Sequence, residues 1–340
     1  MANELVMQNV ACPLCGCEND TTILISPDWT GTTAGEFRLA RCGDCRHLFL
    51  NPAPADSSLA DCYPDDYGPH QRMVESSAEP KNSGELSAAE PVKNPWYLSS
   101  WVRMIPGPRA YYRWVTDTKS VWLPPENGEG RRALEIGCSS GWFLAQLRER
   151  GWSPVGVDLV EGPLKQARAA GFEVHHGTLD SIEFEAESFH AVFGWMVVEH
   201  VPRPRETLQS IYRVLKPGGQ FAISVPNVAS WESSVFGRHW RGYDLPRHLQ
   251  HFTPRSLRAL LSQEGFEVER IIHQPSFLYW VGSLGSWLRQ RFPRSSLGER
   301  LMVTYENSPP LWCYLLLGPF ARLNALFHQS GRLTVITRKR

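Results

Sequence analysis

The chain has 340 residues, which is enough to bury a large core, so one main domain with smaller additions is expected. Its 35 Lys and Arg residues balance its 35 Asp and Glu residues. This balance argues against a nucleic-acid-binding surface, which usually carries a clear basic excess. No charged segment followed by an apolar one opens the chain, so we expect no secretory signal and a cytoplasmic, reducing environment.

Two Cys-x-x-Cys pairs near the amino terminus predict a metal site. Cys12 and Cys15 form the first pair, and Cys42 and Cys45 form the second. Four thiolates complete a closed tetrahedral site, which suits structural zinc and leaves no position open for a substrate. Cys17 could compete with Cys15 as a ligand, but the spacing favours Cys15. Disulfides are the alternative, and a reducing compartment argues against them.

The segments around these cysteines are predicted to form a zinc ribbon. Residues 21–25 and 36–39 have the composition of its strands, and the ribbon with its lead-out is assigned to residues 1–67. The lead-out carries Tyr63 and Tyr67. These tyrosines either line a substrate entrance or pack against the main domain.

A change of composition separates the ribbon from the main domain. Residues 68–95 are rich in Ser, Glu, Lys and Pro and poor in large apolar side chains, which predicts a flexible linker. The aromatic segment 96–122 is predicted to be helical and to cover the first strand of the main domain, which we assign to 96–340.

Residues 131–159 predict a strand, a tight glycine turn, a helix and a second strand. The turn occupies residues 137–141, and Asp158 ends the second strand. Such a unit binds a ligand across the strand ends, where small residues admit the ligand and a carboxylate holds a ribose diol. NAD, FAD and S-adenosylmethionine sites all share this arrangement. A Gly-x-Ser-x-Gly turn preceded by Glu135 favours a cationic ligand over a diphosphate.

The remaining pattern alternates strands and helices. Strands are predicted at 172–176, 189–194, 220–225, 266–272 and 332–338, and helices at 204–215 and from Pro254 to Gly265. The segment 226–251 is predicted to be a loop that forms a substrate pocket, since aromatic and imidazole side chains are concentrated there. Its candidate residues include Trp231, His239, Trp240, Asp244, His248 and His251.

A helical insertion is predicted at 275–331, before the last strand. Residues 311–321 are continuously apolar but fall short of the roughly 20 residues that a membrane span needs. The insertion is either a buried or capping helix pair, or an amphipathic lid that touches a bilayer or admits a lipid-linked substrate. Five arginines would suit anionic headgroups: Arg289, Arg291, Arg294, Arg300 and Arg322.

Two groups of residues resemble motifs of the class I S-adenosylmethionine-dependent methyltransferases. The first motif of that family runs acid-x-Gly-x-Gly-x-Gly, and Glu135, Gly137, Ser139 and Gly141 match it, with Ser139 in place of the middle glycine. Residues 188–227 resemble the family's fourth strand, the helix after it and the fifth strand.

The second match contains the segments Val-Glu-His and Leu-Lys-Pro-Gly-Gly, which are more specific than the glycine turn. His190 stands where the family usually has aspartate. The resemblance covers about residues 130–275. It implies an α/β fold with a Rossmann-like, seven-stranded, mostly parallel sheet whose last strand is antiparallel.

The resemblance also implies roles for individual residues. Glu135 and the glycine turn would hold the methionine end of S-adenosylmethionine, Asp158 its ribose, and the turn at Thr178 its adenine, while Trp195 would lie near the methyl group. The predicted cofactor-binding residues are Glu135, Gly137, Cys138, Ser139, Gly141, Asp158, Leu159, Thr178, Leu179 and Trp195.

The predicted function is methyl transfer to an oxygen or carbon atom of a small-molecule, sugar-nucleotide or lipid-linked acceptor. His200 and His248 are the predicted catalytic residues, because histidine is the usual base near neutral pH; scaffolding of a helix start is the alternative for His200. Three other functions stay open: an rRNA base methyltransferase, a cofactor-sensing module whose ribbon recruits a partner, and an NAD oxidoreductase. The expected location is cytoplasmic, with the insertion as the part that could meet a membrane.

Overall fold

The computed structural model describes residues 5–63, 111, 122, 124, 128–306 and 309–340. The predicted linker at 68–95 lies outside the described residues, as does the predicted helical segment at 96–122 except for positions 111 and 122. The division of the chain into domains therefore stays a prediction.

Strands and helices alternate through most of the described chain. The strands are β1 (Met7–Gln8), β2 (Asp20–Pro27), β3 (Glu36–Cys42), β4 (Leu48–Leu50), β5 (Ala53–Pro54), β6 (Arg132–Ile136), β7 (Ser153–Asp158), β8 (Glu173–His176), β9 (Phe189–Trp195), β10 (Leu215–Pro226), β11 (Gln250–His251), β12 (Phe266–His273) and β13 (Arg332–Lys339). The helices are α1 (Trp142–Glu149), α2 (Glu161–Ala169), α3 (Pro204–Val214), α4 (Trp231–Phe236), α5 (Pro254–Gln263), α6 (Leu278–Arg291), α7 (Leu297–Glu306) and α8 (Leu311–Leu326).

Seven strands form the main sheet, in the order β12-β13-β10-β9-β6-β7-β8. Strands β8, β7, β6, β9 and β10 run parallel, and β13 is antiparallel to both of its neighbours. This is the predicted Rossmann-like sheet, and its last strand has the predicted direction. The chain order reverses between β6 and β9, and in open sheets of this kind ligands bind at the carboxyl ends of the strands beside such a reversal.

Apolar residues on the central strands explain why these segments are buried. Leu134 on β6, Val192 on β9 and Ile223 on β10 have no exposed surface. Helix α3 covers one face of the sheet with Leu208 and Ile211, which belong to the same apolar cluster. Because these strands are buried on both faces, their sequences are nearly continuous apolar runs.

Strand β10 starts earlier than the sequence predicted. Leu215 already pairs with Phe189, and the regular register resumes where Gln220 pairs with Ala191. The Lys-Pro-Gly-Gly segment is thus an irregularity inside the strand, and helix α3 ends before it, at Val214. Gly218 has a φ of 71°, a backbone conformation that glycine adopts without strain.

The segment 226–251 and the insertion also contain more regular structure than expected. The predicted loop includes helix α4 and strand β11, and the insertion has three helices, α6, α7 and α8, where a pair was predicted. Helices α6 and α7 approach closely because Gly285 and Gly298 face each other: a Cβ added at Gly298 would lie 3.0 Å from the Gly285 carbonyl oxygen. None of the helices in the described ranges combines the length and hydropathy that a membrane crossing requires.

The amino-terminal ribbon contributes to a four-stranded antiparallel sheet with the order β11-β4-β3-β2. Its edge strand β11 comes from the segment after β10, far along the chain. The ribbon also packs against the main sheet's helices, because Cys12 and Phe49 lie in the same apolar cluster as residues of α3 and α5. Arg205 of α3 donates a hydrogen bond of 2.9 Å to the Leu14 carbonyl oxygen.

The four predicted zinc ligands lie together in the ribbon. The Sγ atoms of Cys12, Cys15, Cys42 and Cys45 are all within 4.8 Å of one another. Two of the sulfur pairs are 3.5 Å apart, near the edge of about 3.8 Å expected for four sulfurs around zinc. Cys17 lies outside this group and contacts the Asn19 carbonyl oxygen. The donor set therefore fits a closed structural zinc site.

Replacement of one of these thiolates should release the metal. We expect Cys45→Ser to lose the roughly one zinc per chain that four thiolates bind, and to unfold at a lower temperature, because zinc binding is coupled to folding of such small modules. Cys17→Ser is the matched control and should keep both zinc and stability. Metal analysis with thermal unfolding measures the two effects. Full zinc content in Cys45→Ser would exclude this ligand set.

Candidate functional site

The glycine turn connects β6 to α1 and brings the backbone to the carboxyl ends of the strands. Gly137, Ser139 and Gly141 have φ values of 72°, 48° and 86°. A Cβ at Gly137 would lie 2.5 Å from Cγ2 of Val197, in the segment that follows β9. Ser139 adopts the left-handed conformation without being glycine, so the turn keeps its shape despite this substitution in the motif.

Asp158 lies at the end of β7 and is fixed against this turn. One carboxylate oxygen accepts a hydrogen bond of 2.8 Å from the Ser139 amide, and the other accepts one of 2.9 Å from the Val160 amide. Each oxygen has a second lone pair. A carboxylate held in this way beside the turn could accept hydrogen bonds from a ribose diol.

Glu135 lies on β6 next to the turn and is almost completely buried. Its Oε2 atom has no hydrogen-bond partner among the described residues. Burial raises the pKa of this carboxyl well above its ordinary value, and the nearby charge of Asp158 raises it further. A buried carboxyl with an unpaired oxygen fits a cationic group of a ligand, and S-adenosylmethionine carries both an ammonium and a sulfonium.

The other predicted cofactor residues surround the same strand ends, and their contacts with a ligand stay predictions. Cys138 directs its thiol into the core, against the space left by Gly156, so only its backbone could face a ligand. Leu159 is 47% exposed beside Asp158. Thr178 is exposed and caps a short 3-10 turn, whereas the Leu179 side chain is buried.

Trp195 ends β9 and forms a wall of the site. Its ring meets Phe143 edge to face, with ring centroids 5.3 Å apart. Its Nε1 atom is buried without a hydrogen-bond partner in the described part of the chain. This donor could serve a ligand, and the ring is held in place by its aromatic neighbours.

The two predicted catalytic histidines meet although they come from different segments. The ring centroids of His200 and His248 are 4.6 Å apart, in an edge-to-face arrangement. Nδ1 of His248 lies 3.0 Å from the Gly242 carbonyl oxygen, and Nδ1 of His200 lies 3.1 Å from the Arg247 carbonyl oxygen. A carbonyl oxygen only accepts, so the Gly242 contact assigns the His248 proton to Nδ1 and a lone pair to Nε2.

Both imidazoles favour the neutral form. Burial lowers the pKa of His200 to about 3, and the neighbouring His248 contributes to this shift. Burial also lowers the pKa of His248, although Asp244 opposes the change. At neutral pH both rings are therefore uncharged, and each has one nitrogen that can accept a proton.

Sequence reasoning missed several residues that hold this pair. Tyr63 was predicted only to line an entrance or to pack, but its hydroxyl lies 2.8 Å from Nδ1 of His200. Arg247 is fully buried between the carboxylates of Asp28 and Asp244. No local pattern signals these contacts, since Asp28 and Arg247 are far apart in the sequence.

Glu199 lies beside the histidines and has no exposed surface. Neither of its carboxyl oxygens has a hydrogen-bond partner in the described ranges, and burial raises its pKa to about 8. One ligand atom each from Glu199, His200 and His248 lie within 4.8 Å of one another. These three side chains could also hold a cation, which gives the cluster a second chemical use to be tested.

Two other residues of the predicted pocket lie elsewhere. His239 contacts Trp29 of the ribbon, with ring centroids 4.9 Å apart and the rings tilted by 31°. Trp231 is 42% exposed and contacts Phe327 next to helix α8. His251 does approach the cluster, at 6.4 Å between its ring centroid and that of His248. The segment 226–251 therefore forms part of the site only at its carboxyl-terminal end.

Comparison with known proteins finds related methyltransferases. A family model described as a methyltransferase domain matches residues 109–271. A ubiquinone biosynthesis O-methyltransferase of Pseudomonas aeruginosa is 30% identical over 165 residues, which cover 44% of this chain and 71% of the relative. The protein of the same name from Dinoroseobacter shibae is 32% identical over 155 residues, covering 42% of this chain and 62% of the relative.

Among solved structures, a methyltransferase from Mesorhizobium loti that depends on S-adenosylmethionine covers 64% of this chain and 94% of its own, with 20% identity and a TM-score of 0.42. The family assignment rests instead on the Pseudomonas aeruginosa relative, whose match has 30% identity and covers 71% of its length. The chain therefore belongs to the class I S-adenosylmethionine-dependent methyltransferases, and it is an enzyme of that class.

Proposed function

We propose that this methyltransferase transfers a methyl group to an acidic hydroxyl oxygen of a small lipophilic acceptor, such as a phenol. The observation that carries the proposal is the pair of neutral imidazoles, His200 and His248, in contact at the carboxyl ends of the strands. The relatives from Pseudomonas aeruginosa and Dinoroseobacter shibae are O-methyltransferases by name, which supports an oxygen acceptor.

Bound S-adenosylmethionine would supply a methyl group that its sulfonium already activates, so the protein mainly provides alignment and exclusion of water. Glu135 would face the ammonium end and Asp158 the ribose hydroxyls. Trp195 would border the methyl group. The acceptor would lie between this wall and the histidine pair.

A hydroxyl acceptor must lose its proton when its oxygen takes the methyl group. His248 offers the lone pair of Nε2 for that proton, because its Nδ1 hydrogen is directed to the Gly242 carbonyl. The same Nε2 lies 4.0 Å from an Asp244 oxygen, so the carboxylate would stabilise the imidazolium that forms. A base with a lowered pKa is weak, and a weak base suits an acidic hydroxyl better than an ordinary alcohol.

Transfer of labelled methyl groups into a cell extract tests the class of acceptor. We expect the label from S-adenosylmethionine to appear in an organic-soluble, small-molecule fraction, and to decrease when simple phenols compete for transfer. Label in the nucleic-acid fraction would overturn the proposal in favour of a base methyltransferase. Cofactor binding without transfer to any fraction would favour a sensing module.

Substitution of the histidines tests the proton acceptor. We expect His248→Gln and His200→Gln to lower kcat by about 10²- to 10⁴-fold, the usual contribution of a general base, while affinity for S-adenosylmethionine stays nearly unchanged. His239→Gln is the matched control, since His239 lies on Trp29 outside the cluster. Steady-state kinetics and calorimetry give the two quantities.

Unchanged turnover in both variants would exclude the base assignment. A chelation experiment tests the other use of the cluster. If a chelator abolishes activity, Mg²⁺ restores it and the zinc content of the ribbon stays constant, then Glu199, His200 and His248 form a cation site.

We also propose that the enzyme is cytoplasmic and that its insertion contacts the membrane surface. The support is a stripe of large apolar side chains along one face of helix α8, with no polar residue among them. The exposed fractions are 58% for Trp312, 69% for Leu316, 37% for Phe320, 47% for Leu323 and 73% for Leu326. Soluble surfaces rarely carry such a continuous apolar stripe without a partner.

The charge of the insertion supports an anionic bilayer as that partner. Between 275 and 331 the sequence has five arginines and two glutamates, whereas positive and negative residues balance over the whole chain. Arg289, Arg291, Arg294 and Arg300 are exposed near the apolar side chains of Phe292 and Leu297. Arginine beside exposed aromatic and aliphatic residues is typical of surfaces that dock at lipid headgroups.

Vesicle flotation tests this contact. We expect the protein to bind vesicles that contain phosphatidylglycerol, less so at high salt, because the arginines would attract anionic headgroups. The double variant Leu316→Ser/Leu323→Ser should bind at least about tenfold more weakly, equivalent to about 1.4 kcal/mol. The matched control Val6→Ser/Ile25→Ser changes exposed apolar residues of the ribbon and should bind normally. Failure of the unmodified protein to float at low salt would exclude the contact.

A further inference from the structure

We infer that the zinc ribbon is part of the acceptor site, with Asp28 as a positioning residue that fixes Arg247 and thereby the two histidines. The inference rests on the proposed role of His200 and His248. A ribbon that only recruited a partner protein would not affect the position of these histidines. The connection between β2 and β3 carries Asp28, and the segment before β11 carries Arg247.

The guanidinium of Arg247 is buried and is held by two carboxylates. Asp28 accepts hydrogen bonds of 2.8 Å and 3.1 Å from its terminal nitrogens, and Asp244 accepts bonds of 2.8 Å and 3.0 Å. Burial opposes the ionisation of Asp28, but Arg247 outweighs it and lowers the pKa of this carboxyl. All three groups are therefore charged. Arg247 depends on both carboxylates because they accept hydrogen bonds from different pairs of its nitrogens, and a buried donor without a partner is costly.

Other residues of the ribbon also hold the Asp28 carboxylate in place through hydrogen bonds. Thr30 donates to one Asp28 oxygen through its backbone amide, at 2.8 Å, and Thr32 donates its hydroxyl to the other, at 2.7 Å. The Thr33 amide adds a bond of 3.0 Å. The hydroxyl groups of Thr30 and Thr32 also accept hydrogen bonds from Arg247, at 3.1 Å and 2.9 Å. The turn after β2 thus presents carboxylate and hydroxyl oxygens that together bind one guanidinium.

From Arg247 the contacts lead directly to the histidines. The Arg247 carbonyl oxygen accepts from Nδ1 of His200, at 3.1 Å. The amides of Arg247 and His248 both donate to the Asp244 carbonyl oxygen, at 2.9 Å and 3.1 Å. Asp244 itself has a φ of 38°, a strained conformation for a residue other than glycine. The guanidinium holds Asp244 in this turn, and the turn sets the direction of the His248 ring.

The ribbon also holds the end of this segment. The Leu50 amide of β4 donates to the Leu249 carbonyl oxygen at 2.9 Å, and Gln250 pairs with Phe49 in the ribbon's sheet. The amides of Leu249 and Gln250 in turn donate to the Glu199 carbonyl oxygen, next to His200. The segment that carries His248 is therefore joined to the ribbon on both sides of that residue. Through the Glu199 carbonyl it is joined in turn to the segment that carries His200.

The test compares two aspartates of the ribbon that each bind one arginine. With a simple phenol as the acceptor, Asp28→Asn should lower kcat/KM at least tenfold, because the histidines lose their alignment. Zinc content and affinity for S-adenosylmethionine should stay unchanged. Asp20→Asn is the matched control: Asp20 binds Arg38 with bonds of 2.7 Å and 3.1 Å, inside the ribbon. It should leave turnover unchanged even if it lowers stability.

A milder variant covers the case in which Asp28→Asn does not fold. Thr32→Ala removes one donor to Asp28 and one acceptor of Arg247 at an exposed position, and it should lower kcat/KM in the same direction by a smaller factor. Equal turnover of folded Asp28→Asn and Asp20→Asn would overturn the inference. If Asp28→Asn does not fold, unchanged turnover in Thr32→Ala would do the same.

Imidazole NMR signals separate this inference from the proposed function. We expect Asp28→Asn to shift the signals of His200 and His248, identified by their loss in the glutamine variants, and Asp20→Asn to leave them in place. Shifted signals combined with full activity in His248→Gln and His200→Gln would mean that the ribbon positions the pair but the pair is not the base. Unshifted signals would refute the positioning role whatever the histidines do.

Discussion

The burial of one positive charge constrains much of this molecule. Arg247 cannot lose its charge, and a guanidinium removed from water is tolerated only when carboxylates and hydrogen-bond acceptors replace the solvent. Asp28 and Asp244 supply this replacement along two adjacent edges of the guanidinium. One of them lies 219 positions away in the sequence and the other only three. Folding of the ribbon and of the turn before β11 is thereby linked, because each carboxylate accepts hydrogen bonds from a different pair of the guanidinium nitrogens.

Glu135 is a second buried ionisable group, but it lacks the partners that keep Arg247 charged. No residue in the described ranges pairs with its Oε2 atom, and burial and Asp158 raise its pKa, so the isolated carboxyl favours its protonated form. A cation beside it would stabilise the carboxylate and reverse this preference. Ligand binding is then coupled to release of a proton from Glu135. An anionic diphosphate would gain nothing from this group, and the arrangement thus favours S-adenosylmethionine over a dinucleotide.

The sequence predicted those features that depend on neighbouring residues. The strand, turn and helix from β6 to β7 follow from apolar spacing and from glycines at the turn, and the order of the main sheet follows from resemblance to a family. The four cysteines were predictable because each pair is local. The Asp28–Arg247 contact and strand β11 were not, since pairing between distant segments leaves no pattern in either one. The start of β10 was misplaced because Leu215 belongs to the strand through its partner Phe189, which propensity does not reveal.

His200 and His248 are too close together for both rings to become positively charged easily. Two imidazoles whose centroids are 4.6 Å apart repel each other when both are protonated, and each ring's charge opposes protonation of the other. Asp244 faces His248 at 4.0 Å, but its oxygens already accept hydrogen bonds from Arg247, which weakens its pull on a second cation. The two rings together therefore favour taking up one added proton, the number that one hydroxyl releases, over taking up two. The Tyr63 hydroxyl lies 2.8 Å from Nδ1 of His200, so the amino-terminal part of the chain contacts each ring's segment and limits how far the two rings can separate to reduce their repulsion.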